Sequence, residues 1–360
     1  MTELTGIERT ARILERKKAD RIGVYEHFWP DTQAAYVKAG HIKPDEDIQD
    51  HFGLDLRESW AFNYTADLDF GWEVLEETED TKLVKNGNGA TLRHHKKHST
   101  TPENVNYTVK ERPQWEKVRH LLTNIDERRI DFEGYRAAKA DAKAKNKFFT
   151  CAGANVFELL HPICGHEHML MGMALDPDWI TDMVSVYTDL TITLQEILFA
   201  KEGKPDGVFY YDDLGYKQKP FLSPAMYKEL IFPGHKRTID FAHGQGLPVI
   251  LHSCGYVEPL LPGFVEAGID CLHAIEIKAG MDLLRIYKNF GDKIAFMGGL
   301  DVRALYNNDK NEIDRELEAK VPIIKQGFGF CLHSDHSIPS NVKYETYKYF
   351  IEKGFELGRY

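Results

Sequence analysis

The tripeptide His252-Ser253-Cys254, followed at once by Gly255, carries the clearest chemistry in the chain. It closes an apolar run, Leu247-Pro248-Val249-Ile250-Leu251, with the composition of a buried parallel strand. Side chains alternate across a strand, so His252 and Cys254 face the same way. An imidazole beside a thiol can bind a soft divalent metal such as zinc. Two residues near the last apolar run could complete a ligand set. Cys331 lies inside Phe328-Gly329-Phe330-Cys331-Leu332 and reads as a structural thiol. His336 lies beyond it, in the loop before Ile338-Pro339, and is the preferred third ligand.

Other apolar runs also end in polar groups. These are Glu26-His27, Tyr211-Asp212-Asp213, Glu276, Gly298-Gly299-Leu300-Asp301 and His333-Ser334-Asp335-His336. A core packed for stability alone does not need acids and imidazoles at one end of strand after strand. His27, Asp212, Asp213 and Glu276 are candidates for proton transfer, or for orienting a ligand histidine. Trp29, Trp60, Tyr64 and Tyr211 could wall a flat, apolar ligand, although each could equally be ordinary packing. Cys164-Gly165-His166-Glu167-His168 is too tightly spaced for one tetrahedral site and reads as structural. His94-His95-Lys96-Lys97-His98 reads as a solvated surface run.

These groups need elements that bring them to one place. From residue 147 onward short apolar strands alternate with helices. Strands are expected at 148–151, 207–211, 247–251, 271–275, 294–297 and 327–332. Helices are expected at 176–202, 224–244, 256–267, 281–289, 310–326 and 341–357. A helix near 6–18 leads into a first strand at 21–28, and an eighth strand fits 53–60. The alternation means parallel βαβ units. The economical reading is one α/β domain over residues 1–360, a (β/α)8 TIM-type barrel whose strand ends converge on one mouth. An open doubly wound sheet is second, without a Gly-x-Gly-x-x-Gly turn to support it. Residues 69–112 alternate polar and apolar around the turn Asn86-Gly87-Asn88-Gly89. They read as an antiparallel insertion, continued by charged helices to about 145.

Composition narrows the partners. The 360-residue chain has a formal net charge of -11, which disfavours nucleic acid and anionic membranes. No apolar run reaches membrane-spanning length. Met1-Thr2-Glu3-Leu4-Thr5 lacks an export pattern, so a cytoplasmic location is expected. Five scattered cysteines do not form a disulfide framework, and reduced thiols are free to bind metal.

The chain resembles the uroporphyrinogen decarboxylase superfamily. The resemblance rests on Gly165-x-Glu167-x-x-Leu170 with Leu175-Asp176-Pro177, Asp212-Asp213-Leu214-Gly215, Ser223-Pro224-x-Met226-Tyr227, His252-Ser253-Cys254-Gly255, Gly298-Gly299-x-Asp301 and Asp335-His336-Ser337-Ile338-Pro339. Decarboxylases of that superfamily carry arginines after the first strand to hold substrate carboxylates. Here the region reads His27-Phe28-Trp29-Pro30-Asp31-Thr32. Decarboxylation would need Arg57 or Arg303 as substitutes. The His-x-Cys pair instead resembles the corrinoid-dependent zinc methyltransferases. That branch includes methylcobalamin:coenzyme M methyltransferases and enzymes that demethylate methoxylated compounds. In the coenzyme M enzymes a second Cys before an Asp-Ile-Pro segment completes the zinc ligands. Here Ser337-Ile338-Pro339 places His336 at that position.

Exchanging that thiolate for imidazole raises the net charge of the site by one. Such a metal is a better Lewis acid and a poorer promoter of thiolate nucleophilicity. The resemblance therefore implies O-demethylation. A methyl group would pass from an aryl methyl ether to cob(I)alamin on a separate corrinoid protein. A methylcobalamin:thiol methyltransferase is the alternative, and Cys331 at the mouth would favour it. A non-enzymatic corrinoid- or tetrapyrrole-binding protein is a third reading.

Overall fold

The computed structural model describes residues 3–97 and 101–360. Met1, Thr2 and His98 lie outside the described residues. Eight strands form one parallel sheet: β1 (Gly23–Val24), β2 (Leu56–Trp60), β3 (Phe148–Ala154), β4 (Gly207–Tyr211), β5 (Val249–Ser253), β6 (Cys271–Ala274), β7 (Ala295–Gly298) and β8 (Phe330–Leu332). Their order is β1-β8-β7-β6-β5-β4-β3-β2, and all seven pairings are parallel. The sheet curls until β1 and β2 meet. No strand ladder joins them. Instead Asp55 donates its N–H to the Val24 carbonyl at 2.8 Å and accepts the Val24 N–H on its side chain at 2.9 Å. This is the expected TIM-like architecture, with the eighth strand at 56–60.

The outer layer is helical. The helices Pro177–Glu202, Phe232–Gly244, Leu261–Ala267, Leu283–Phe290, Lys310–Ile324 and Tyr344–Gly358 follow successive strands. Gly6–Leu14 is started by a reciprocal capping box between Thr5 and Glu8. Its Leu14 packs with Tyr25, Leu56, Phe209 and Ile250 to fill the lower barrel interior. The expected helix 224–244 is interrupted by a wide π turn at Tyr227–Ile231. Pro233, just beyond, has no N–H to continue the regular ladder.

The insertion between β2 and β3 is a four-stranded antiparallel meander: Glu73–Glu77, Thr81–Lys85, Ala90–His95 and Glu103–Tyr107. His94 and His95 thus end a strand, which the reading of a surface run did not foresee. The turn follows from Asn86, whose side chain accepts the N–H groups of Asn88 and Ala90. Helices Arg112–Val118, His120–Thr123 and Phe132–Ala144 return the chain to the barrel.

Candidate active site

Interior positions recur every second residue along the strands, so each strand carries an inward column. In the lower barrel the columns hold Tyr25, Leu56, Phe209, Ile250, Cys271 and Cys331. Two residues further on, at the C-terminal ends, they hold His27, Glu58, Tyr211, His252, His273 and His333. These six line a cleft of about 310 Å³ together with Cys254, Trp29, Trp60 and His336. That volume suits a small molecule.

Two clusters form its floor. In the first, Cys254 Sγ lies 3.1 Å from His252 Nε2, and Asp213 Oδ1 lies 3.3 Å from the same nitrogen. The three donors lie within reach of one ion. In the second, His333 Nε2 lies 3.2 Å from His273 Nε2 and 3.2 Å from His27 Nδ1. Sheet register connects the two. His252 on β5 pairs with His273 on β6, and their Nδ1 atoms are 2.7 Å apart.

Charge follows from this packing. Burial opposes protonation of His252, but Cys254 and Asp213 outweigh it and raise its pKa well above the usual histidine value. Burial and the neighbouring imidazoles push His273 and His333 well below that value. Burial lifts the Glu26 carboxyl to about 8, against the N–H groups of Ser334 and His27. Burial also opposes ionisation of Glu58, yet His27, Tyr211 and Trp60 hold it below the ordinary range. Tyr211 donates to Glu58 Oε1 at 2.5 Å, and its oxygen is 3.1 Å from His27 Nε2.

The expected site residues divide. His252, Cys254, His27, Trp29, Trp60, Tyr211 and His336 line the cleft. Asp213 joins the first cluster and also accepts the Cys254 N–H at 2.8 Å. His336 does not reach that cluster; it stands on the rim beside Trp29, with ring centroids 6.3 Å apart. Asp212 points away from the mouth. It is fully buried, hydrogen-bonded to His235 and to the N–H groups of Phe157 and Glu158. Glu276 accepts the Gly255 N–H at 2.7 Å and pairs with Lys278, so it braces the loop. Tyr64 packs on the core beside Gly153, outside the cleft lining. Cys331 is one layer too low and is buried in the barrel. Cys164 donates to the Leu160 carbonyl inside a helix, as a structural thiol does.

Glu58 and His273 are the site residues that strand-end reasoning missed, and His333, noted at its strand end, had no role assigned. Each follows an inward apolar residue by two positions, and that spacing was the available signal.

The lining of the cleft includes no lysine or arginine among the described residues. Arg57 is held on the outside by Asp47 and Asp50, and Arg303 by Asp301. Neither can replace the arginines of a decarboxylase.

A parallel barrel with imidazole, thiol and carboxylate groups at its C-terminal mouth has the organisation of a TIM-type enzyme. The uroporphyrinogen decarboxylase (URO-D) family model matches residues 136–354, more than half of the chain, and the protein belongs to that family. Among solved structures the chain is similar to a methyltransferase from Methanosarcina mazei. The TM-score is 0.66 at 13% identity, covering 98% of this chain and 99% of that one. A weaker likeness is to a Xaa-Pro dipeptidase with bound methionine in the active site. Its TM-score is 0.33 at 12% identity, over 62% of this chain and 59% of that one. No curated protein matches the sequence.

Proposed function

We propose that this protein is a corrinoid-dependent methyltransferase that removes the methyl group of an aryl methyl ether and passes it to a corrinoid carried on a partner protein. The supporting observation is the Asp213–His252–Cys254 cluster at the floor of a cleft without lysine or arginine. Tetrahedral zinc with bonds of about 2.0–2.3 Å separates its ligands by about 3.3–3.6 Å. The Asp213–His252 separation of 3.3 Å lies in that range, and the Cys254–His252 separation of 3.1 Å needs only a small outward shift to reach it. His252, Cys254 and Asp213 would hold it. Bound there, zinc supplies Lewis acidity toward the ether oxygen.

This ligand set changes the electrostatic argument. With Asp213 in place of His336, the formal charge equals that of a His, Cys, Cys set. The difference is donor hardness: a carboxylate oxygen gives the metal less electron density than a second thiolate. The cleft also offers a single thiol, because Cys331 lies below it. Both features favour polarising an oxygen over activating a substrate thiol.

The chain's own residues do the rest. Trp60 is 55% exposed and stands 4.6 Å from Tyr211, centroid to centroid; Trp29, beyond β1, is 40% exposed on the rim. The two indoles hold the arene and exclude water from the ether carbon. His27 holds a proton at Nε2, in contact with Tyr211 and Glu58, and can deliver it to the departing phenolate.

The test supplies purified protein with reduced corrinoid protein and a methoxyarene, and measures phenol release. Cys254→Ser and His252→Ala are expected to lower transfer by about two to four orders of magnitude. Full transfer by a metal-free double variant sinks the reading. Methylation of a thiol from methylcobalamin, without ether cleavage, replaces it with the alternative.

A further inference from the structure

Three imidazole nitrogens converge beside the first cluster, in the same layer of strand ends. His333 Nδ1 contacts the Ser334 carbonyl, which only accepts, so His333 carries its proton there. Its Nε2 is therefore a bare lone pair. Tyr211 gives its proton to Glu58, so its oxygen can accept from His27 Nε2–H, in the tautomer that frees Nδ1 to ligate; the Tyr25 hydroxyl faces the same Nε2 at 3.3 Å. That leaves His27 Nδ1 a second lone pair, 3.2 Å from the first. His273 Nε2, also 3.2 Å from His333 Nε2, is the third corner. Ligand nitrogens about 2.0–2.1 Å from one tetrahedral ion stand about 3.4 Å apart.

A second observation points to a cation. Glu26 Oε1 lies 3.3 Å from His333 Nε2, and Glu58 Oε2 lies 3.8 Å from His27 Nε2. Among the described residues neither carboxyl has a lysine or arginine within ion-pair distance. Glu58 supplies a negative charge beside a buried divalent ion held by neutral imidazoles, and Glu26 adds a carboxyl oxygen within reach.

The join between the clusters sets a rule. Nδ1 atoms 2.7 Å apart share one proton. An ion on His252 Nε2 places that ring's proton on Nδ1, which donates to His273 Nδ1. His273 then carries its own proton on Nε2, which donates to His333. An ion on His273 Nε2 reverses the chain: His273 Nδ1–H donates to His252 Nδ1, and His252 Nε2–H faces Asp213 and Cys254. A neutral imidazole has one proton, so both histidines cannot bind an ion through Nε2 while this hydrogen bond stands.

We propose that His27, His273 and His333 form a second transition-metal station, alternating with Asp213–His252–Cys254, so that the chain holds one divalent ion in either of two places. The thiolate station, with two anionic ligands, is the preferred one. The alternation rests on the metal reading of the first cluster but not on the identity of the methyl donor.

The test titrates metal-free protein with Co²⁺, reading stoichiometry and the thiolate-to-cobalt charge-transfer band. Wild type is expected to bind one ion with the band. Cys254→Ser and Cys254→Ala are expected to bind one ion without it, and His333→Gln one ion with it. The Cys254→Ser/His333→Gln double variant is expected to bind none. Folded Cys254 variants that take up no cobalt overturn the second station, and wild type binding two ions overturns the alternation. Absence of the band in wild type would instead count against the first station.

Discussion

His166 lies half-buried with its ring stacked on His161 at 4.1 Å, and burial, reinforced by His161, lowers its pKa to about 4. Folded His166 thus stays neutral over a range in which the unfolded chain takes up a proton. Between about pH 6.5 and pH 4 the unfolded state binds more protons, so stability falls as pH falls. Below that window both states are protonated and the effect stops. Urea unfolding across this range should show a shallower pH slope for His166→Gln than for wild type. An unchanged slope would contradict the assignment. The residue belongs to a His-rich motif whose composition suggests metal but whose spacing is too tight for it, and its ring stacks on His161 and packs at a tilt against Phe221. Single residues were unevenly legible. His252 and Cys254 stand out because they end a long apolar run. His273 and His333 do not, because their strands are short and a histidine within one resembles a core residue. Asp213 reads as a proton-transfer candidate and His336 as the ligand because sequence shows which residues are near a strand end but not which way a loop then turns.

At the level of elements, the turn after β5 depends on a close backbone crossing. Gly255 has φ +77, and a Cβ there would come within 2.3 Å of the Gly215 backbone. Asp213 and Glu276 fasten this turn by accepting the N–H groups of Cys254 and Gly255. Gly255→Ala must both adopt a left-handed conformation, which costs about 1–2 kcal/mol, and push the two loops apart. The expected result is a lower melting temperature together with weaker cobalt binding at the thiolate station. A variant that matches wild type in both would show that the crossing is not needed. The strands and helices were largely legible because their hydrophobic periods differ, and the Asn86–Gly89 turn marked the insertion. The strand carrying His94 and His95 was obscured by its charges, which suit an edge-rich, solvated sheet. Proline chemistry explains the broken helix near Tyr227, a detail of hydrogen bonding that periodicity does not carry.

For the whole molecule, closure of the barrel is the vulnerable step. Asp55 is buried at the lower end of the β1–β2 seam, where it accepts from Arg9 at 2.6 Å and from Arg21 at 2.8 Å. Asp20 holds the other side of Arg9 at 2.8 Å. Removing the Asp55 side chain leaves the buried Arg9 with one carboxylate where it had two, and leaves the Val24 N–H without its acceptor. Asp55→Ala should cost about 3–5 kcal/mol in urea unfolding. A loss below about 1 kcal/mol would mean that the seam closes without it.

His27 stands on one side of that seam and Glu58 on the other. Seven strand pairs form a continuous arc, and the site spans the place where the arc's two free ends come together. The arginine–carboxylate clasp that keeps those ends in register lies at the far end of the barrel from the cleft. Loosening it would separate His27 from Glu58 while the ladders stayed intact. The chain could then keep its secondary structure and lose the proton-bearing side of its cleft.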